Sequence, residues 1–178
     1  MPERLLEMDL RQLLRVLGIG LSGMGAAAAQ PAPTSPPACQ AAEHRQFDFW
    51  IGDWDVFAGD KLVGHNRIEA VQDGCALREQ YRTPRGYSGE SLNVYDRQRQ
   101  RWHQTWVDNQ GLLLLLDGSL QDGRMVLEGA ARDAKGQPQR QRISWTPNPD
   151  GSVRQHWQVQ RPDGQWQTAF DGLYRKRR

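Results

Sequence analysis

The sequence predicts an all-β fold, an antiparallel up-and-down β-barrel of about ten strands. Three observations carry that expectation. Turn signals recur from Ala58 to Gly164, separated by runs of about seven to twelve residues. No segment with helical periodicity interrupts these runs after Ala42. The stretch Phe47 to Phe57, FDFWIGDWDVF, sets five aromatic rings around the first strand, where large rings suit a plug across one barrel end. A closed barrel leaves no exposed edge strand, which favours it over a sandwich.

The chain has 178 residues, enough for one domain plus appendages. Its 23 basic and 21 acidic residues are dispersed, so no basic face of the kind that binds nucleic acid is expected. The one basic cluster, residues 175–178, reads as a solvated chain end.

Taken in order, residues 1–29 read as a secretory signal peptide. Val16 to Ala29 is apolar and uncharged, follows Arg11 and Arg15, and ends in the small residues Ala27-Ala28-Ala29. Starting at Met8 rather than Met1 leaves a cleaner positive leader, because Glu3 and Glu7 then fall away. Residues 30–42 form a Pro-rich tether, since four prolines between Gln30 and Ala38 sustain neither helix nor central strand. Residues 43–178 form the barrel domain. The expected location is the periplasm or the exterior, with no stable membrane anchor: Pro36-Pro37-Ala38 precedes Cys39 where a lipidation box needs small aliphatic residues. Cys39 and Cys75 are the only thiols, an even count that in an exported chain predicts a disulfide. It would pin the tether to an early strand.

Glu43 to Ile51 is expected to make a short helical turn, and Trp54 and Val56 to begin the first strand. Turns then fall at residues 58–60, 73–74, 84–86, 96–100, 109–111, 122–123, 133–136, 147–151 and 161–164, each carrying Gly, Asp, Asn or Pro. Gly52-Asp53-Trp54 resembles the opening motif of lipocalins and related calycin barrels. With DGCALRE (73–79), SLNVYD (91–96), WHQTWVDNQG (102–111) and DGSVRQHWQ (150–158), the chain is similar over residues 43–174 to a bacterial secreted family with lipocalin-like barrels. That resemblance implies the fold and no reaction. Haem-binding barrels of the nitrobindin type have a similar architecture and use a histidine near the C-terminal strand. The last histidine here is His156, and the final strand carries none, so no haem or other cofactor is expected.

Strand parity assigns the interior. One face carries Trp102, Gln104 and Trp106; another Val153, Gln155, Trp157 and Val159; a third Cys75, Leu77, Glu79 and Tyr81; and a fourth Trp166, Thr168, Phe170 and Tyr174. Asn66, Ser91 and Asn93 are expected to join them. Leu112 to Leu116 is apolar on both faces, which points to a covering loop or a partner. An interior of indoles, amides and one carboxyl suits a small, partly apolar molecule. The same residues also fit a scaffold that bonds only to itself and water. Glu79 is the candidate ligand anchor or general acid/base, with Arg142 as its expected ion-pair partner. No metal motif or nucleophile motif occurs. Asp48, Asp53 and Asp55 read as turn acids. Three roles follow: a small-molecule binder, an enzyme using Glu79, or an interaction module acting through the leucine surface.

Overall fold

The computed structural model describes residues 38–133 and 135–177. The segments read as signal peptide and most of the expected tether therefore lie outside the described residues, as does Arg178 of the basic cluster. Ten strands follow one another: β1 Gly52–Ala58, β2 Lys61–Val71, β3 Ala76–Arg82, β4 Ser88–Asp96, β5 Arg101–Asp108, β6 Leu113–Gln121, β7 Arg124–Arg132, β8 Pro138–Pro147, β9 Val153–Gln160 and β10 Trp166–Lys176. Each pairs antiparallel with the next, and β1 pairs with β10, so the sheet closes into an up-and-down barrel. All nine connections fall where the turn residues place them.

Five of the connections repeat one device. In the loop after β5, Gly111 N–H donates to Asp108 O, and Asp108 N–H donates to Leu112 O. Gly111 sits at φ 86, in the left-handed region that only glycine enters at little cost. The Asp108 carboxylate accepts from the backbone N–H of Gln110 and Leu112, so the aspartate holds the turn from inside. The hydrogen-bonded backbone pattern recurs at residues 83–87, 133–137, 148–152 and 161–165.

The aromatic stretch closes one end. Two short 3-10 turns, Ala42–Arg45 and Asp48–Trp50, carry Phe47 and Trp50 fully inside. Phe47 stacks on Trp50 at 4.9 Å and meets Trp145 edge-on at 5.2 Å and Trp102 at 5.6 Å. Trp54 donates its indole N–H to Trp50 O at 2.9 Å. The structure joins Cys39 to Cys75, which tethers the plug to the β2–β3 corner. Arg45 adds a hydrogen bond to Gly74 O at the same corner.

Parity holds for β5, β9 and the Leu77, Glu79 and Tyr81 row of β3, whereas Cys75 stands before β3 in the corner where it bonds Cys39. Parity fails over half of β10. Ala169 is an extra residue there, because Thr168 pairs with Gln158 whereas Phe170 pairs with Trp157. Phe170 and Tyr174 face inward as expected, but Trp166 and Thr168 lie on the outside. Thr168 bonds His156, and Trp166 lies under the Arg142 guanidinium at 4.2 Å. On β6, Leu114 and Leu116 are buried while Leu113 is 56% and Leu115 48% exposed. No loop among the described residues covers them. With Leu92 on β4 and Val107 on β5 they form an outer apolar strip across three neighbouring strands.

Candidate ligand-binding cavity

Three inward rows share a progression along the barrel axis. β5 runs Trp102, Gln104, Trp106; β9 runs Val153, Gln155, Trp157; β3 runs Leu77, Glu79, Tyr81. The first residue of each row is buried at the plugged end, the second is polar, and the third is a ring toward the other end. This stacking leaves a cavity of about 300 Å³ beyond the plug, walled by Tyr81, Trp106, Trp157 and Phe170 and floored by Glu79, Gln104, Gln155 and Tyr174. Larger but shallower depressions of about 480 and 520 Å³ lie at the β3–β4 hairpin and beside the disulfide. Neither contains the floor residues.

Gly89 and Gly64 make room for two of the rings. A Cβ on Gly89 would stand 2.2 Å from Trp106 Cζ2, and one on Gly64 2.5 Å from the Tyr81 hydroxyl. Both rings therefore lie flat against bare backbone rather than projecting into the lumen.

A hydrogen-bonded chain runs beneath the floor, and one backbone carbonyl sets its direction. Leu77 O can only accept, so the Asn93 group facing it at 3.3 Å is the amide N–H. The same Nδ2 donates to Ser91 Oγ at 2.9 Å. Asn93 Oδ1 is then an acceptor, filled by Gln104 Nε2 at 2.8 Å. Ser91 has one proton, and it goes to Glu79 Oε2 at 2.7 Å. Asn66 Nδ2 donates to Glu79 Oε1 at 2.7 Å. The bonds from Gln104 through Asn93 and Ser91, and the bond from Asn66, point their hydrogens toward the Glu79 carboxyl. A second branch runs from Tyr174, whose hydroxyl donates to Gln155 Oε1 at 2.6 Å.

Glu79 is 3% exposed, and among the described residues no Lys, Arg or His lines the cavity. Burial pushes its carboxyl up to about 7, against the pull of the Asn66 and Ser91 hydrogen bonds. Burial, reinforced by the Glu79 charge, also raises the hydroxyls of Tyr81 and Tyr174.

Of the residues singled out from the sequence, Glu79, Tyr81, Gln104, Trp106, Gln155 and Trp157 line the cavity. Asn66, Ser91 and Asn93 stand one layer behind, holding Glu79 and Gln104. Trp102 belongs to the plug, where its indole donates to Gln46 Oε1. Arg142 requires correction. Its neighbours Gln141 and Ile143 are buried, so parity turns it outward, where it pairs with Glu128 at 2.6 Å. Glu79 has Asn66 and Ser91 instead of a cation. Asp48, Asp53 and Asp55 are paired separately with Arg45, Arg67 and His65. Tyr87, Thr83, Leu114 and Ile143 also line the cavity. Tyr87 and Thr83 sit in or beside a turn, beyond the reach of strand parity. Ile143 alternates with polar neighbours, so parity alone could have found it, whereas the unbroken leucine run 112–116 hides which face Leu114 takes.

A family model described as "Protein of unknown function (DUF1579)" matches residues 40–176. No curated protein matches the chain.

Proposed function

The chain belongs to the DUF1579 family, a family of unknown function, and we propose that it binds a small, partly apolar molecule inside the barrel. One observation carries this reading. The cavity sets four rings above a floor of one carboxyl and two amides, at the lower end of the size range for ligand pockets, roughly 300–1,000 Å³. Rings supply apolar area, and the floor supplies orientation. A lipocalin-like kinship fits the same arrangement, a closed antiparallel barrel plugged at one end. The reading includes an oxidising compartment, which the Cys39–Cys75 bond supports, reached through residues 1–29 as an export signal. N-terminal sequencing of exported protein checks the signal; a retained Met1 refutes it.

Native mass spectrometry of freshly purified protein tests the binding role. The expected result is an added small mass that is lost on denaturation, or fluorescence enhancement of the neutral probe N-phenyl-1-naphthylamine that Trp106→Ala weakens. The polypeptide mass alone, together with no enhancement, rules the role out.

A second reading is an enzyme that uses Glu79 as acid or base. The observation behind it is a buried carboxyl on the cavity lining, which burial pushes up to about 7, the range where general acid–base catalysis works best. Turnover with a pH–rate profile that is lost in Glu79→Gln would establish it. Binding without turnover would not.

A further inference from the structure

The hydrogen-bond chain below the cavity is built to surround an anion. Glu79 Oε1 and Oε2 each accept one bond, from Asn66 and Ser91, whereas a carboxylate has about four acceptor positions. The unused positions belong to a residue on the cavity wall. Gln104 gives its amide hydrogens to Asn93 and Ser91, and no described group donates to its carbonyl oxygen. Asn66 Oδ1, fully buried beside Glu79, also has no donor among the described residues. The floor thus holds excess acceptors with no cation facing them. The groups around Glu79 are Asn66 from β2, Tyr81 from its own strand, Ser91 from β4, Gln104 from β5, Gln155 from β9 and Tyr174 from β10. None of them is basic, and the only titratable ones are phenols. The walls add the rings of Tyr81, Trp106, Trp157 and Phe170, and aromatic rings attract cations to their faces.

From this juxtaposition we infer that the ligand is a small organic amine, bound as its ammonium form with the N–H groups on Glu79 and the Gln104 carbonyl and its apolar body among the rings. An anionic ligand would meet the Glu79 carboxylate and find no cation in the lining. A neutral alcohol could donate one hydrogen bond and would leave the charge uncompensated. The inference rests on the cavity being a binding site and adds the charge of what it binds.

The test compares three probes of similar shape: phenethylamine, 2-phenylethanol and 3-phenylpropanoate. Each is titrated calorimetrically and by tryptophan fluorescence into the full exported chain. The amine is expected to bind at least about tenfold more tightly than the alcohol, and the carboxylate most weakly. In Glu79→Gln the gap between amine and alcohol is expected to close. Trp157→Leu, at a half-buried ring, is expected to narrow it, which keeps the test decisive if Glu79→Gln does not fold. Equal affinity for amine and alcohol, or preference for the carboxylate, overturns the amine assignment and leaves the binding site standing. No binding by any of the three overturns both. A wild-type preference for the amine that survives unchanged in a folded Glu79→Gln or in Trp157→Leu places the amine elsewhere and also overturns the assignment.

Discussion

Glu79 concentrates the electrostatics of the molecule, and its titration has a sign that can be worked out. Burial moves the carboxyl from about 4.5 to about 7 on folding. Between those values the folded protein keeps a proton that the unfolded chain has released. The stability this group contributes is therefore fully present below about pH 4.5 and is lost as pH rises through about 7. The full swing is on the order of 3 kcal/mol. Thermal melts of Glu79→Gln should lack that decline between about pH 4.5 and pH 7, where the wild type shows it. An identical slope in both proteins would mean the carboxyl is solvated and the floor geometry is wrong. Arg142 provides the control. Arg142→Ala removes an outer ion pair and a ring contact, with an expected cost of about 1 kcal/mol or less, and should leave probe affinity unchanged. The sequence showed that Glu79 points inward, because Leu77, Glu79 and Tyr81 alternate with charged or amide neighbours. It did not show the residue's partner. A buried carboxylate suggests an arginine, and the answer was instead an amide and a hydroxyl on adjacent strands, Asn66 and Ser91, whose pairing depends on register.

At the scale of the strand, alternation was legible wherever pairing was regular and failed where one residue was added. β10 shows why. The residues before Ala169 obey one parity and those after it the other, so Trp166, an indole by type, lies outside under two arginines. Nothing in QWQTAFDG marks Ala169 as the bulge, because the signal is the register of β9. The inward glycines of β4 and β2 were equally silent, since a missing side chain has meaning only beside the ring that fills its place. Gly89→Ala puts that meaning to work. The added methyl would overlap the Trp106 ring, so the ring must tilt into the cavity. The expected outcome is a folded barrel destabilised by about 1–3 kcal/mol with probe binding largely lost. Trp106→Ala in the same background should restore stability by removing the clash. If Gly89→Ala binds N-phenyl-1-naphthylamine as the wild type does, the rings do not bound the site.

At the scale of the molecule, the barrel is held shut at one end by a segment that is not part of the sheet. Phe47 and Trp50 enter on 3-10 turns that make few backbone bonds of their own, and the disulfide ties that segment to the β2–β3 corner. The cysteine pair was legible from an even count, and the plug from the density of rings. Their cooperation follows only from the path of the chain: the crosslink encloses the plug, β1 and β2 within one loop of 36 residues' separation. In the chain-entropy account a loop of that length is worth about 3–4 kcal/mol to the folded state. Converting both Cys39 and Cys75 to Ser should therefore lower the melting temperature by about 10 °C. The loss should not be uniform. Trp102 and Trp145 contact the plug, whereas Trp106 and Trp157 border the cavity, so a loosened plug should dim the near-ultraviolet circular dichroism of the first pair before the whole barrel melts. Reductant added to the wild type should reproduce the shift, and reductant added to the double variant should do nothing. A double variant that melts like the wild type would show that the rings alone secure the barrel end, leaving the crosslink without a role in its stability.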